Sequence, residues 1–304
     1  MGKLKKNQMP VETIRMAEYL SDEPFPLFVR FFDVGKPVVR HRHEFMELVI
    51  VSRGRGIHFT DLEEYSIEAG DVFAITGDTA HGYRDVDELQ VVNVLFDPAW
   101  FSVLSGPARK SMGFHALFSL EPRFRKMYRL ENKLHLRNEE LREVLELVNR
   151  LMGEFETKKP LYEMMVQTIF LQIVGLLSRF YDRREIPVGD SLLMVGKCLS
   201  LMENGYMRQI QLSALAKAVH LSPRSLLRTF KQVMGISPID YLIRLRVEKA
   251  RELLRDPRMS ITEIALRVGF SDSNYFSRQF RKITGGSPRR LKARLEDTPS
   301  KLGG

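Results

Sequence analysis

Between residues 25 and 97 the apolar residues come in short runs separated by polar turns. The runs are Phe28 to Phe32, Met46 to Val51, Gly56 to Phe59, Val72 to Ile75 and Val91 to Phe96. Short runs at close, regular spacing predict strands of an all-β barrel or jelly roll. From residue 138 the period changes. Leu141, Val144, Leu145, Val148, Leu151, Met152 and Phe155 recur at helical spacing. Asn138, Glu139 and Glu140 open this helix, and acidic residues suit its first turn. Pro160 starts a second helix, with Leu161, Met164, Met165, Ile169 and Leu176 inward. The two helices predict a cover for the barrel core, a dimer interface, or both. Ile186-Pro187-Val188-Gly189-Asp190 has the composition of an interdomain linker.

Past that linker the chain repeats itself. Leu212, Leu215, Ala216, Val219 and Ser222 are matched 49 residues later by Ile261, Ile264, Ala265, Val268 and Ser271. One residue is inserted after Ser271, so Phe230, Gly235 and Ser237-Pro238 match Phe280, Gly285 and Ser287-Pro288 at an offset of 50. Each copy predicts helix, tight turn, helix, at about residues 209–234 and 260–284. Gly269 occupies the turn of the second copy, where a left-handed backbone is needed, and His220 holds that place in the first. Ser222 and Ser271 are expected to cap the second helices, with Pro223 at a first helical position. Leu226, Leu227 and Phe230 are expected to face inward, as are Tyr275, Phe276, Phe280 and Ile283. Arg224, Ser225, Arg228 and Lys231 then face outward on one helix, and Ser273, Asn274, Ser277, Arg278 and Arg281 on the other. Arg reads guanine and Asn reads adenine in the major groove, while Ser and Lys mostly serve phosphates. Ser237 to Arg255 is an uninterrupted apolar period, and such a helix would span roughly 28 Å. That length suits holding two recognition helices in successive major grooves, about 34 Å apart.

Charge supports this reading. Residues 191–304 carry 21 Lys and Arg against 9 Asp and Glu, whereas residues 1–190 carry 26 against 29. The net charge of +9 is therefore concentrated in the last third, where it would attract phosphates. An apolar content of 44% supports packed cores rather than disorder. A single cysteine, Cys198, rules out an intramolecular disulfide and fits a reducing, cytoplasmic setting. Met1 to Pro10 is polar and basic, which predicts no signal peptide. The densest apolar stretch, Ile169 to Leu177, is interrupted by Gln172 and Gly175, so no membrane partner is expected.

Candidate chemistry sits in the strand-rich part. Gly35, His41, His43, Glu47 and Gly54 are followed by Gly70-Asp71 and His81. His41, His43 and Glu47 share strand parity and could converge with His81 on one cation. Three imidazoles and a carboxylate suit zinc, iron, manganese or nickel. The alternative is that these groups pack together, or hydrogen-bond an organic effector in a pocket drawn from His41, His43, Glu47, His58, His81, Tyr83 and Asn93. No nucleophile–base pair, phosphate loop or paired acid–base carboxylates are present.

The stretch from Leu212 to Pro238, the connecting helix, and Ile261-Thr-Glu-Ile-Ala with Val268-Gly-Phe-Ser-Asp-Ser-Asn-Tyr-Phe-Ser-Arg-Gln-Phe-Arg-Lys-Ile-Thr-Gly resemble the AraC/XylS family DNA-binding domain. His220 departs from the family's turn glycine, and Arg289-Arg290-Leu291 from its usual aromatic and Arg. The histidine pattern resembles the cupin fold in its first motif and in part of its second, where Thr76, Asp78 and Asp85 depart. Arg40 to Val51 is similar to the rhamnose-responsive members. The resemblance implies an α+β multidomain chain: a cupin-like effector-binding barrel at residues 1–135, a helical dimerisation and linker segment at 136–187, and an all-α double helix-turn-helix domain at 188–296. It implies a homodimeric activator that binds double-stranded DNA, contacts RNA polymerase and answers to a small molecule, a monosaccharide by analogy. No cofactor is implied, apart from the divalent transition metal that the barrel's His/Glu set could hold. The alternative reading is a metal-dependent cupin enzyme fused to a DNA-binding module.

Overall fold

A computed structural model describes residues 12–15, 25–61, 63–77, 79–120, 133–183 and 191–296. The chain divides into two compact units, Met1–Val188 and Gly189–Gly304. The expected linker at residues 186–190 lies outside the described residues, as does Asp78.

The first unit contains β1 (Glu12–Ile14), β2 (Leu27–Asp33), β3 (Val38–His43), β4 (Met46–Thr60), β5 (Glu64–Glu68), β6 (Asp71–Ile75), β7 (His81–Phe96) and β8 (Leu134–His135). They form one mixed sheet along β1-β3-β7-β4-β6-β8, with β2 added on β7 and β5 on β4. Among the described strands this path does not return to its start, so the expected closed barrel is corrected to an open sheet. The run of short strands is also corrected. Met46 to Val51 and Gly56 to Phe59 belong to one fifteen-residue strand, β4. Register shifts between Val51 and Ile57 bend it, so that its first half pairs with β6 and its second with β5. Gly54 sits at this irregularity with φ +71°, where a Cβ would lie 2.2 Å from the Glu88 carbonyl oxygen. Glycine is what lets the strand continue through the bulge.

Both faces of the central strands are buried, which is why Leu48 to Val51 reads as a continuous apolar run. One face carries Val49, Val51, Phe73, Ile75, Tyr83 and Val91 into a single cluster. The other presents Phe96 to Phe101 of α1 (Pro98–Leu104) and to Phe170 of α3 (Tyr162–Asp182). Against α3 lies α2 (Asn138–Thr157), which buries Leu141, Val144, Leu147, Val148 and Leu151. In α3 the inward stripe is Val166, Ile169, Phe170, Ile173, Val174 and Leu177, whereas Leu161 and Met164 are exposed, contrary to expectation. Leu161 precedes the helix in a left-handed conformation, which turns its side chain outward. By length and composition α3 could cross a membrane, but half of that stretch is buried within the unit, as in a core helix.

The second unit is helical: α4 (Ser191–Gly205), α5 (Leu212–Ala218), α6 (Pro223–Met234), α7 (Pro238–Leu253), α8 (Ile261–Arg267), α9 (Ser273–Thr284) and α10 (Pro288–Glu296). The repeat is structural. In the two turns Leu221 N–H donates to Ala216 O, and Phe270 N–H to Ala265 O, both at 2.9 Å. His220 and Gly269 are the left-handed residues of those turns, at φ +55° and +95°. Ser222 caps α6 by accepting from Ser225 N–H, with Pro223 following. The expected cap Ser271 is corrected: Asp272 accepts from the amides of Asn274 and Tyr275. The residue inserted after Ser271 moves the helix start by one, and a carboxylate there also complements the helix dipole. The inward stripes are narrower than expected. Leu226, Phe230 and Phe276, Phe280 are fully buried, while Leu227, Tyr275 and Ile283 are more than a third exposed. Leu227 and Tyr275 lie one residue, about 100°, around their helices from Leu226 and Phe276, whereas Ile283 lies near the Phe276 direction and is exposed in the last turn of α9.

Candidate nucleic-acid interface and sensor site

In α6, Arg224, Arg228 and Lys231 are exposed and Ser225 is half-buried. The Ser225 hydroxyl is within 2.9 Å of the Ser222 hydroxyl, so it takes part in the cap. In α9, Asn274, Arg278 and Arg281 are exposed, and Ser273 and Ser277 are half-buried. The Arg278 guanidinium lies 5.8 Å from the centre of the Tyr275 ring. That ring, expected in the core, supports the Arg on the outer surface instead. Each copy thus presents one helix whose outer face is basic and amide- or hydroxyl-bearing.

Sequence reasoning missed the residue that ties the second copy together. Arg246 of α7 is buried, its Nε donates to Tyr206 O and its Nη2 to Arg208 O, both at 2.8 Å. Its guanidinium lies 5.6 Å from the Phe270 ring, beside the Gly269 turn. Burial pulls its pKa below the usual arginine value. The two carbonyls and the ring still satisfy the charge. An arginine within an otherwise apolar helical period was the available signal.

In the first unit, β3 and β7 place His41 opposite His81. Three of the four candidate ligands converge and one stands apart. Ligand atoms of His43, Glu47 and His81 all lie within 4.8 Å of one another and all three residues are buried. One Glu47 oxygen, Oε2, is 3.1 Å from His43 Nε2 and 3.3 Å from His81 Nε2. His41 is half-buried outside this group, its ring centre 4.4 Å from that of His81 and 6.4 Å from that of His43. It pairs in register with His81, just past an irregularity of β3 between Val38 and His41. Burial, and then the neighbouring His81, lower the His41 pKa.

The other ring nitrogens fix the tautomers. Nδ1 of His41, His43 and His81 is within 3.2 Å of a carbonyl oxygen, that of Val39, Phe45 and Thr79 respectively. A carbonyl only accepts, so each Nδ1 donates. A neutral ring then offers Nε2 as a lone pair. Burial would raise the Glu47 pKa, but hydrogen bonds and charge from His43 and His81 outweigh it and hold the carboxyl well below the usual range. Glu47 is therefore a carboxylate that accepts from the His43 and His81 rings, and a bound cation would take the place of those protons.

Beyond it, the His58 ring centre is 5.4 Å from His81, 5.2 Å from Tyr83 and 4.9 Å from Phe73. Asn93 pairs in register with Val49 of β4 and Arg30 of β2. It is buried, and its Oδ1 has no hydrogen-bond partner among the described residues. Arg30, absent from the sequence-derived candidates, is half-buried and lies 5.1 Å from the Phe32 ring. Its signal was a lone charge inside the Phe28-to-Phe32 strand. The expected pocket residues thus line one face of the sheet, with His41 at its rim.

Residues 35–186 match a family model described as an AraC-like ligand binding domain, and residues 215–294 one described as a helix-turn-helix domain. The chain is 30% identical to the HTH-type transcriptional activator RhaR of Mannheimia succiniciproducens, over 91% of this chain and 95% of that protein. It is 32% identical to the HTH-type transcriptional activator RhaS of an Escherichia coli O139:H28 strain, over 83% of this chain and 86% of that protein. The crystal structure of an AraC-type transcriptional regulator from Chromobacterium violaceum matches at 33% identity and a TM-score of 0.33, covering 36% of this chain and 95% of that one. These relatives are activators rather than enzymes, so the alternative of a cupin enzyme is set aside.

Proposed function

The chain belongs to the AraC family of DNA-binding transcriptional activators, and we propose that a small polyhydroxylated molecule, a monosaccharide, bound inside its first unit controls how its recognition helices engage a promoter. The observation that carries the effector reading is Asn93, a buried amide oxygen with no hydrogen-bond partner among the described residues. Burying such a group unpaired costs about 1–3 kcal/mol, which a ligand hydroxyl would recover. His58, Tyr83 and Arg30 supply further polar contacts among aromatic rings, the usual make-up of a small-molecule site. For this binding to be control, the effector must favour one state of the protein over another.

A second reading of the same interior rests on the His43, Glu47 and His81 group. His43 Nε2, His81 Nε2 and Glu47 Oε2 would hold a divalent transition metal, with His41 near enough to join after a small movement. Thermal unfolding of the full chain separates the two readings. A selective rise in midpoint with one sugar, abolished by Asn93→Leu, supports the sensor reading; saturation at a hundredfold excess is worth about 2.7 kcal/mol. A rise with zinc or manganese that disappears in Glu47→Gln supports the metal. No shift with any sugar would sink the monosaccharide assignment and leave the DNA-binding role intact.

For DNA, we propose that Arg228, Asn274 and Arg278 read bases, and that Arg224, Ser225, Lys231, Ser273, Ser277 and Arg281 chiefly position the protein on phosphates. Arg228→Ala or Arg278→Ala should cost about 1–3 kcal/mol on the preferred site and relax selection at one position. Lys231→Ala should weaken binding on all sequences and lower the salt slope by about 1. Equal losses on every sequence for the two Arg variants would sink the base-reading role.

A further inference from the structure

A cleft of about 820 Å³ opens in the second unit between α7, the C-terminal end of α9 and α10. Arg244, Glu248 and Arg251 line it from α7, and Arg290 and Arg294 from α10. Four guanidinium groups face one carboxylate. Apolar side chains also line it: Val247 and Phe280 are buried, Leu291 is half-buried and Ile283 is exposed.

This charge does not belong to the proposed DNA face. At 100° per residue, Phe280 and Ile283 lie at least about 100° around α9 from Arg278 and Arg281. The apolar lining and Glu248 also suit a phosphodiester backbone poorly. A compact anion fits no better. Arg244 and Arg251 are separated by about 10 Å of helix, so one small oxyanion cannot engage both and the α10 pair as well.

The dimensions match a protein segment with carboxylates about a turn or two apart and apolar side chains between them. We propose that this cleft docks an acidic amphipathic peptide segment of a partner protein, with Arg–carboxylate pairs at the rim and apolar contact with Ile283 and the rest of the apolar lining. The inference rests on the activator reading in one respect: a regulator held on DNA by one face needs another face for the protein it recruits.

The test uses the full chain and a fluorescein-labelled 16-residue probe helix carrying Glu at two positions per turn and Leu between them. Saturable one-to-one binding is expected. It should fall about tenfold or more in Arg251→Glu/Arg290→Glu and be unchanged in Arg281→Ala. The same double variant should keep its affinity and salt slope for a non-specific DNA duplex. A probe with Ser in place of Leu, of equal charge, should bind about tenfold more weakly. Circular dichroism confirms folding, and Arg251→Gln/Arg290→Gln provides a milder variant. Equal binding of the Leu and Ser probes, or of wild type and both double variants, would overturn the proposal. So would a matching loss of DNA affinity, which would assign the cleft to DNA. Loss of sequence-specific DNA recognition in Arg278→Ala is a separate measurement, so failure of the DNA reading and failure of the cleft remain distinguishable.

Discussion

Replacing Gly269 by Ala is expected to destabilise the helical unit by about 4 kcal/mol, and by Val to unfold it. Two effects add. The backbone is at φ +95°, where a side chain costs about 1–2 kcal/mol before any contact is counted. A Cβ there would also lie 2.5 Å from Tyr206 O, 2.9 Å from Met207 O and 3.0 Å from Arg246 Nε. Two of these atoms are backbone, so relief requires moving the segment that Arg246 holds. Against a typical total stability of about 5–15 kcal/mol, that is a large fraction. The first copy provides an internal control. His220 occupies the equivalent turn at φ +55° and is exposed. His220→Gly should relieve about 1 kcal/mol of strain and add a similar entropic cost to folding, leaving a net change near zero. Denaturant unfolding followed by far-UV circular dichroism, with binding to a DNA duplex as the functional readout, checks both. A Gly269→Ala variant with the wild-type midpoint would show that the second turn has the slack of the first.

The contrast between these turns explains what could be read from the sequence. The repeat was visible because each copy needs the same small residue, Ala216 or Ala265, at its helix–helix contact and the same turn geometry after it. The helix limits followed from local cap chemistry, which is a property of a few neighbouring residues. What was hidden depended on direction and on distant partners. Leu227 and Tyr275 fit a helical period, but the core direction is set by Leu226, Phe230, Phe276 and Phe280, and one step away is outside; Ile283 points along that direction but lies in the helix's last turn. The cap at Asp272 was displaced by a single inserted residue. Met46 to Thr60 looked like two strands because Gly54 punctuates them, and only the pairing with β5, β6 and β7 makes one bent strand of both. The His43, Glu47 and His81 convergence followed from strand parity, whereas parity gave no distance along the strand and so did not separate His41 from that group. Arg246 and Arg30 were passed over because an isolated arginine in an apolar period says nothing about which carbonyl or ring will receive it.

Acidification should reveal a buried imidazole outside the proposed sensor site. His115 lies in the π-helical turn His115–Leu120 and is 3% exposed. Its Nε2 has no hydrogen-bond partner among the described residues. Burial pushes its pKa down to about 4, against the raising effect of a hydrogen bond to the Arg109 backbone. The folded state therefore keeps the ring neutral, while the unfolded chain takes up a proton below the ordinary value near 6.5. Between those two values the unfolded state binds more protons, so stability rises with pH across that window. The contribution is fully present above about pH 6.5, is lost as the pH falls, and levels off below about pH 4. Its size is about 3 kcal/mol. Trp100, the chain's one tryptophan, stacks on Phe170 in the same unit and reports its unfolding by fluorescence. Urea midpoints measured from pH 7 to pH 4 should fall steeply for the wild type. His115→Leu, which packs without titrating, should fall by about 3 kcal/mol less over the same range. Parallel curves for the two proteins would mean that His115 is hydrated or partnered in solution, and that acid sensitivity of the first unit arises elsewhere.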